Sequence, residues 1–364
     1  MRSKTLSSIL LNFLFLCLSF FSISCRKESK IDTEFYIPVE KSNLFVRIVG
    51  NADKPLIIDL HGGPGAFSGF DHESYGKYLE DNYLIAYLDQ RGGGKSEICN
   101  DSTMLTVSQF VKDLDVVVDT LKHKYKGKAV NLLGSSWGGT YGLLYLISHQ
   151  EKINSFVCTS GKANSIYQYM ALIEHERKLA KVLLEKSDNP IKKQRLREIL
   201  SKLSEIEHSG FEKFFVNMNL IKSTFPKELG FNAYWANLKA QEEAIKMGKD
   251  SAVYVRAHYT KADFNAALQK MEFVNRVFRN TPSYNNLNIL DEIAVIKTPV
   301  LVVQGQYDYN IGLKQADLIY EALINVPKDK KELHIIPNAA HNLNMEAPDL
   351  YFNIVKSFLG KYNP

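Results

Sequence analysis

The chain has 364 residues, of which 45% are hydrophobic and 23% are charged. This composition is typical of a globular protein with one large domain, or with one domain that carries an insertion. The net charge of +5 is small for this length, and Lys and Glu residues are interspersed rather than gathered into a basic stripe with aromatic residues. Composition and charge therefore argue against a nucleic-acid-binding protein.

The N-terminus has the pattern of a secretory signal peptide. A positively charged start precedes an apolar run over residues 9–23, which is shorter than the roughly 20 residues that a membrane-spanning helix needs. Ser24-Cys25 directly follows the run, and this ending resembles a bacterial lipoprotein signal, in which the Cys is lipidated and becomes the mature N-terminus. That signal usually has an aliphatic residue where this chain has Ser22. Ordinary cleavage after Ser24 is the alternative.

Residues 1–25 are therefore predicted to be a signal peptide with Cys25 as its lipidation site. A lipidated chain would be exported and held on a bacterial membrane, at the periplasmic or the outer surface. Without the lipid it would be periplasmic or secreted. The polar residues 26–40 are predicted to be a tether that leads into the fold.

Short apolar runs then alternate with stretches of helical periodicity. The predicted strands are residues 44–49, 55–60, 83–88, 129–133, 154–158, 299–303 and 332–336. Helical spacing of apolar residues is clearest over residues 107–125. This alternation predicts an α/β fold with a mostly parallel, doubly wound sheet that helices cover on both faces.

One long segment interrupts the alternation. Residues 162–288 are rich in Lys, Glu, Leu and Tyr, with helical periodicity and no convincing strand pattern. We interpret this segment as a helical insertion between two parts of the α/β core, residues 41–161 and 289–364. Of the two cysteines beyond the signal, Cys158 lies in an apolar run typical of a buried strand, and whether it pairs with Cys99 stays open.

A strand, a sharp turn and a helix are predicted around Gly134-Ser135-Ser136-Trp137-Gly138. This G-x-S-x-G pattern is that of a nucleophile elbow, in which Gly residues let strand and helix approach closely around a strained nucleophile. Ser136 is the candidate nucleophile, because it has Gly two positions before and two positions after it.

A serine hydroxyl needs an imidazole to take its proton and a carboxylate to orient that imidazole. In open α/β sheets, functional groups gather at the carboxyl ends of the strands. Asp308 and His341 follow two predicted strands near such ends, and the chain order Ser, Asp, His is that of α/β-hydrolases. The N–H groups of Trp137 and Gly63 are the candidate oxyanion-hole donors.

At this point the sequence resembles the proline iminopeptidase branch of the α/β-hydrolases, a family of serine peptidases. The matching motifs are His61-Gly62-Gly63-Pro64-Gly65, Asp89-Gln90-Arg91-Gly92, Gly134 to Gly139, Gly305-Gln306-Tyr307-Asp308 and Ala340-His341.

The resemblance implies that Ser136, Asp308 and His341 form a catalytic triad and that residues 162–288 form a cap over the site. It also implies that Asp89 and Arg91 brace a loop near the site. His61 and Gly62 are interpreted as structural residues of their loop. The family releases an N-terminal residue from a peptide and uses no cofactor.

The match weakens in the cap. Family members that remove proline have a W-x-x-W-E pattern there, whose Glu helps to hold the substrate's free amine. The nearest stretch here starts at Trp235, with Leu238 in place of the second Trp and Lys239 in place of the Glu. A Lys would repel an ammonium group. Glu242 and Glu243 are alternatives, unless they are surface residues.

The sequence thus predicts a serine hydrolase that works through an acyl-enzyme, with an aminopeptidase acting on short peptides as the leading substrate class. A carboxylesterase or lipase-like enzyme is the alternative, and a non-catalytic receptor for a small ligand is a third interpretation. No cluster of His, Cys, Asp or Glu has metal-ligand spacing, and no G-x-G-x-x-G follows a predicted strand. We therefore expect no metal and no nucleotide cofactor.

Overall fold

The computed structural model describes residues 29–98, 101–208 and 214–363. The predicted signal peptide, its lipidation site Cys25, and Cys99 lie outside these ranges. Within them, none of the helices combines the length and the apolar character that crossing a membrane requires.

The described residues contain one eight-stranded sheet. Its strands are β1 (Lys30–Val39), β2 (Ser42–Asn51), β3 (Leu56–Leu60), β4 (Leu84–Leu88), β5 (Val130–Ser135), β6 (Ser155–Thr159), β7 (Val300–Gly305) and β8 (Lys331–Ile336). Their order across the sheet is β1-β2-β4-β3-β5-β6-β7-β8. β2 is antiparallel to both β1 and β4, and every pairing from β4 to β8 is parallel. The predicted α/β class with a mostly parallel sheet is confirmed.

The prediction of a tether over residues 26–40 is wrong for most of that segment. β1 pairs with β2 along its whole length, from Lys30 opposite Asn51 to Val39 opposite Ser42. Most β1 side chains are exposed or only partly buried. An edge strand of this kind is held by backbone hydrogen bonds to its one neighbour, so its sequence need not contain the apolar run that marks an interior strand.

Helices flank the sheet and fill the long connection between β6 and β7. They are α1 (Gly69–Leu79), α2 (Val107–Lys124), α3 (Trp137–His149), α4 (Ser165–Lys186), α5 (Pro190–His208), α6 (Phe214–Asn219), α7 (Phe225–Leu229), α8 (Leu238–Met247), α9 (Ser251–Arg256), α10 (Lys261–Arg279), α11 (Pro282–Asn285), α12 (Gln315–Ala322), α13 (Leu343–Glu346) and α14 (Pro348–Tyr362). A π-helical turn, Leu220–Thr224, joins α6 to α7.

Helices cover the two faces of the sheet because successive side chains of a strand point to opposite faces. On β3, Ile58 packs in one apolar cluster with residues of α2 and α3. Its neighbour Ile57 packs in a second cluster with residues of α1 and α14. Helices α1 and α3 therefore lie on opposite faces of the sheet, on either side of the strand ends.

The segment predicted to be a helical insertion contains α4 to α11, and an isolated antiparallel β-bridge joins Asn164 to Asn288. Part of it has its own apolar cluster, formed by α4, α5 and the stretch from the π-helical turn to α7. Helix α10 differs, because Val274 and Phe278 belong to the main core. The ring of Phe278 packs edge-on against Trp137, with centroids 5.0 Å apart, so this helix is anchored directly beside the elbow.

Candidate active site

The turn between β5 and α3 holds Ser136 in a strained backbone conformation. Its φ is 55° and its ψ is −115°, a region that L-residues other than Gly rarely adopt. The turn is tight enough that a Cβ atom on Gly138 would lie 1.7 Å from the carbonyl oxygen of Leu60. The G-x-S-x-G pattern is therefore required sterically, and it presents the Ser136 hydroxyl at the carboxyl end of the sheet.

The structure brings Ser136, His341 and Asp308 into one hydrogen-bonded chain. Nε2 of His341 lies 2.9 Å from the Oγ of Ser136. Nδ1 of His341 lies 3.0 and 3.1 Å from the two carboxylate oxygens of Asp308. Asp308 is fully buried and His341 is 8% exposed. With the proton on Nδ1, the imidazole donates to Asp308 and accepts from the serine hydroxyl, which is the arrangement of a general base poised against a nucleophile.

Each of these side chains is positioned by a strand end, and the insertion contributes one support. Asp308 follows β7, and His341 follows β8. The backbone carbonyl of Tyr234, from the insertion, accepts from the N–H of His341 at 3.2 Å and from the side-chain amide of Asn342 at 3.0 Å. The loop that carries His341 is thus tied to the segment above it.

The two predicted oxyanion donors lie at the cavity around Ser136. Trp137 begins α3, and N–H groups in a first helical turn have no acceptor within the helix. Gly63 has a φ of +54°, and among the described residues the structure gives its N–H no acceptor. The loop is close to the nucleophile, because a Cβ atom on Gly62 would lie 3.2 Å from that of Ser136. Both N–H groups are therefore available to an incoming carbonyl oxygen.

His61 is placed by the structure as a loop residue. Its Nδ1–H donates to the carbonyl of Gly62 at 2.9 Å, and its Nε2 accepts from the N–H of Gln90 at 3.1 Å. Burial lowers its pKa below the ordinary value for histidine. A neutral ring with both nitrogens engaged cannot act as a base toward substrate.

Gln90 is a site residue that the sequence interpretation missed. Its side chain donates to the carbonyl of His61 at 2.9 Å and accepts from the indole N–H of Trp137 at 2.8 Å. It therefore links the glycine-rich loop to the first residue of α3. In the sequence, its position between Asp89 and Arg91 was the one indication that it lies near the site.

Asp89 connects the loops around the site. Its carboxylate accepts from the N–H and the hydroxyl of Ser68 at 2.8 and 2.9 Å and from the N–H of Lys95 at 2.8 Å. The hydroxyl of Tyr259, from the insertion, also donates to it. Because one buried carboxylate accepts all of these bonds, it ties two loops of the core to the insertion.

Arg91 makes a separate set of buried contacts beside Asp89. Its guanidinium is fully buried and makes two parallel bonds to Asp113 on α2, at 2.7 and 2.8 Å. It also donates to the carbonyl of Glu40 at 2.8 Å. Arg91 therefore joins the turn after β4 to α2 and to the hairpin between β1 and β2.

A cavity of about 520 Å³ opens over Ser136. Its wall includes polar residues that were not predicted, among them Asn310, Lys222 and Lys162. Asn310 places its side-chain amide nitrogen 3.1 Å from Nε2 of His341. Lys222, from the π-helical turn, donates to the side-chain oxygen of Asn310 at 2.8 Å, and Lys162 also lines the cavity. These residues come from separate segments with no common motif, so no sequence pattern marks them.

The cap stretch that departs from the family pattern contributes little to this wall. Trp235 lines the cavity, whereas Leu238 and Lys239 are exposed at the start of α8. Glu242 and Glu243 are exposed on the same helix, which agrees with the surface alternative. Among the described residues that line the cavity, Asp71 of α1 is the one carboxylic acid.

Within the described ranges, no group of three or more His, Cys, Asp or Glu side chains is arranged to hold a metal ion. Cys158 is a free, fully buried thiol on β6. Burial raises its pKa to about 12, so it stays protonated and unreactive at neutral pH.

The family model of the α/β-hydrolase fold matches residues 55–348. The chain belongs to this family. It is 22% identical to a proline iminopeptidase of Saccharolobus solfataricus over 94% of this chain and 97% of that protein. It is 27% identical to the proline iminopeptidase PfmaB of Pestalotiopsis fici over 90% of this chain and 99% of that protein.

Among solved structures, the chain is similar to a proline iminopeptidase-related protein of Thermus thermophilus, with a TM-score of 0.60 and 19% identity. The match covers 91% of this chain and 98% of the other. A structural likeness at this identity supports the fold alone. Together the comparisons confirm the resemblance to the proline iminopeptidase-like branch of the α/β-hydrolases.

Proposed function

We propose that the protein is a serine hydrolase with Ser136 as nucleophile, and that it acts as an aminopeptidase on short peptides. The observation that carries the hydrolase part is the continuous contact from the Ser136 hydroxyl through His341 to the buried Asp308. Membership of the α/β-hydrolase family supports the same class.

The chemistry follows from this arrangement. The Ser136 oxygen attacks the substrate carbonyl while Nε2 of His341 takes its proton, and Asp308 stabilises the imidazolium that forms. The N–H groups of Gly63 and Trp137 stabilise the negative charge on the former carbonyl oxygen. His341 then gives the proton to the leaving amine or alcohol, which departs and leaves an acyl-serine. A water molecule, deprotonated by His341, attacks this ester, and the acid is released with Ser136 restored.

The relatives that match most of the chain are named proline iminopeptidases, and this supports release of an N-terminal residue as the leading reaction. A carboxylesterase is the second candidate. The exposed Lys239 favours it, because that position offers no carboxylate to hold a free amine.

A substrate panel separates the two candidates. The full-length protein would be assayed on aminoacyl-arylamides, including those of proline and alanine, beside short-chain aryl esters. We expect turnover of the arylamides and its loss when the substrate amine is acetylated, because acetylation removes the positive charge that an aminopeptidase recognises. Ester turnover alone would reject the peptidase. A protein that binds these compounds but hydrolyses none of them would be a receptor.

We further propose that the mature chain starts at Cys25 and is held on a bacterial membrane by lipid on that residue. The support is the sequence pattern alone. The full-length protein expressed in bacteria should partition into detergent, and the Cys25→Ser variant should not. Equal partitioning of the two would contradict lipidation.

A further inference from the structure

The cavity over Ser136 contains one acid whose role the chemistry above does not use. Asp71 is a partly buried residue in the first turn of α1, and it lines the same cavity as Ser136 and His341. In the described part of the chain, the carboxyl group of Asp59 is its one side-chain hydrogen-bond partner. Asp71 therefore presents a carboxylate to the substrate space without a protein cation to neutralise it.

The environment of Asp59 explains why, of the two acids, Asp71 is the one that ionises. Asp59 lies on β3, is 1% exposed, and neither of its oxygens receives an N–H or hydroxyl donor from the described residues. Burial, reinforced by the charge of Asp71, raises the pKa of Asp59 well above its ordinary value. Asp59 therefore stays protonated at neutral pH, and its hydroxyl is directed to Asp71. Any negative charge that the pair carries near neutral pH is then on the member that lines the cavity.

The charge at this wall fits a cation from the substrate. Burial raises the pKa of Asp71 to about 7, while the hydrogen bond from Asp59 opposes the rise. An ammonium group beside Asp71 would lower that pKa again, because an opposite charge favours the ionised form. An unpaired carboxylate that is partly buried costs free energy, and a bound ammonium offsets that cost.

The opposite wall carries the opposite charge. Lys162 follows β6, and its backbone is hydrogen-bonded to Thr140 of α3, whereas Asp71 belongs to α1 on the other face of the sheet. Among the described residues, Asp89 is the charged group that acts on the pKa of Asp71, and it raises that pKa. An ammonium group entering the cavity is therefore drawn toward α1 and away from the lysine side.

We propose that Asp71, backed by Asp59, binds the free α-amino group of the substrate. This proposal rests on the aminopeptidase function above and deepens it. It assigns amine recognition to the core helix α1, in a chain whose insertion has Lys239 where the family pattern has a Glu. With the amine at Asp71 and the scissile carbonyl at Ser136, the cavity selects short peptides with an unblocked N-terminus.

The test compares Asp71→Asn with the unchanged protein on two substrates, alanine 4-nitroanilide and 4-nitrophenyl acetate. The variant keeps the size of the side chain and removes its charge. Removing a hydrogen bond between two charged groups corresponds to a decrease of about 10- to 100-fold in kcat/KM. We expect kcat/KM for the anilide to fall by about this factor relative to kcat/KM for the ester. Most of the decrease should come from a higher KM. Glu73→Gln is the matched control, because it removes a carboxylate from the same helix outside the cavity, where Glu73 pairs with Arg256.

Each outcome has one meaning. A selective loss on the anilide in Asp71→Asn, with the wild-type ratio of the two activities in Glu73→Gln, supports amine recognition by Asp71. Equal losses on both substrates, or no loss on either, overturn it while the aminopeptidase function stands. Wild-type protein that hydrolyses the ester and never the anilide overturns the aminopeptidase function and this proposal together. Ester turnover also reports that the variant is folded.

Discussion

Replacement of Ser136 by Ala should lower kcat by about 10⁴- to 10⁶-fold on every substrate that the protein hydrolyses. The change removes only the hydroxyl group, whose oxygen lies 2.9 Å from Nε2 of His341. What remains is the oxyanion hole and substrate binding, which by themselves support only slow hydrolysis by water. The measurement is steady-state hydrolysis of the best substrate in the panel, with substrate binding followed separately.

Ser135→Ala is the matched control, because it removes the same group from the neighbouring residue. Ser135 ends β5, and no contact between its hydroxyl and His341 is given by the structure. We expect its kcat to stay within a few-fold of wild type. If Ser135→Ala lost as much activity as Ser136→Ala, the assignment of the nucleophile would be wrong. The Ser136→Ala fold should be intact, since Ala has the same backbone freedom as Ser at a φ of 55°.

Replacement of Arg91 by Ala should destabilise the protein by about 3–5 kcal/mol at neutral pH. The change leaves Asp113, which is 2% exposed, without its cation. The measurement is the free energy of unfolding in urea. Burial already raises the pKa of Asp113, and Arg91 works against that rise.

The stability of the Arg91→Ala variant should change with pH in one direction. Without Arg91, the folded-state pKa of Asp113 rises further above its unfolded value, so the folded state binds a proton that the unfolded state loses. The stability of the variant should therefore fall as pH rises from about 4 toward 7, and the loss relative to wild type should be smallest near pH 4.

Arg195→Ala controls for the loss of an Arg–carboxylate pair as such. Arg195 makes the same two parallel bonds, at 2.7 and 2.8 Å to Glu228, but its side chain is 47% exposed. Solvent screens such a pair, so we expect a cost below about 1 kcal/mol. A cost for Arg91→Ala no larger than this would show that the buried pair does not stabilise the fold.

Much of the core and of the hydrogen-bonded chain from Ser136 to Asp308 could be predicted, because the signals for both are local. Interior strands such as β3 and β7 are buried on both faces, so each has a mostly apolar sequence that can be recognised directly. The elbow around Ser136 is marked by glycines that its own turn requires. Asp308 and His341 could be found because each follows a strand closely, and parallel strands deliver their carboxyl ends to one edge of the sheet.

Features that depend on a partner distant in the sequence were missed or left undecided. The sequence of β1 is typical of a polar tether, because backbone hydrogen bonds to β2 stabilise this strand and it needs no apolar run. Nothing near Asn310 indicates that its amide lies 3.1 Å from His341.

The clearest contrast is between the two positions considered for amine recognition. The family pattern directs attention to position 239, where the chain has an exposed Lys, while tertiary structure places Asp71 in the cavity and Asp59 behind it. The sequence by itself determined the strands β2 to β8, the sheet class and the candidate nucleophile with its base and acid, since turn sterics and strand periodicity act over a few residues. Only the tertiary structure decided which charged residues line the cavity, because burial and charge pairing depend on segments that packing alone brings together.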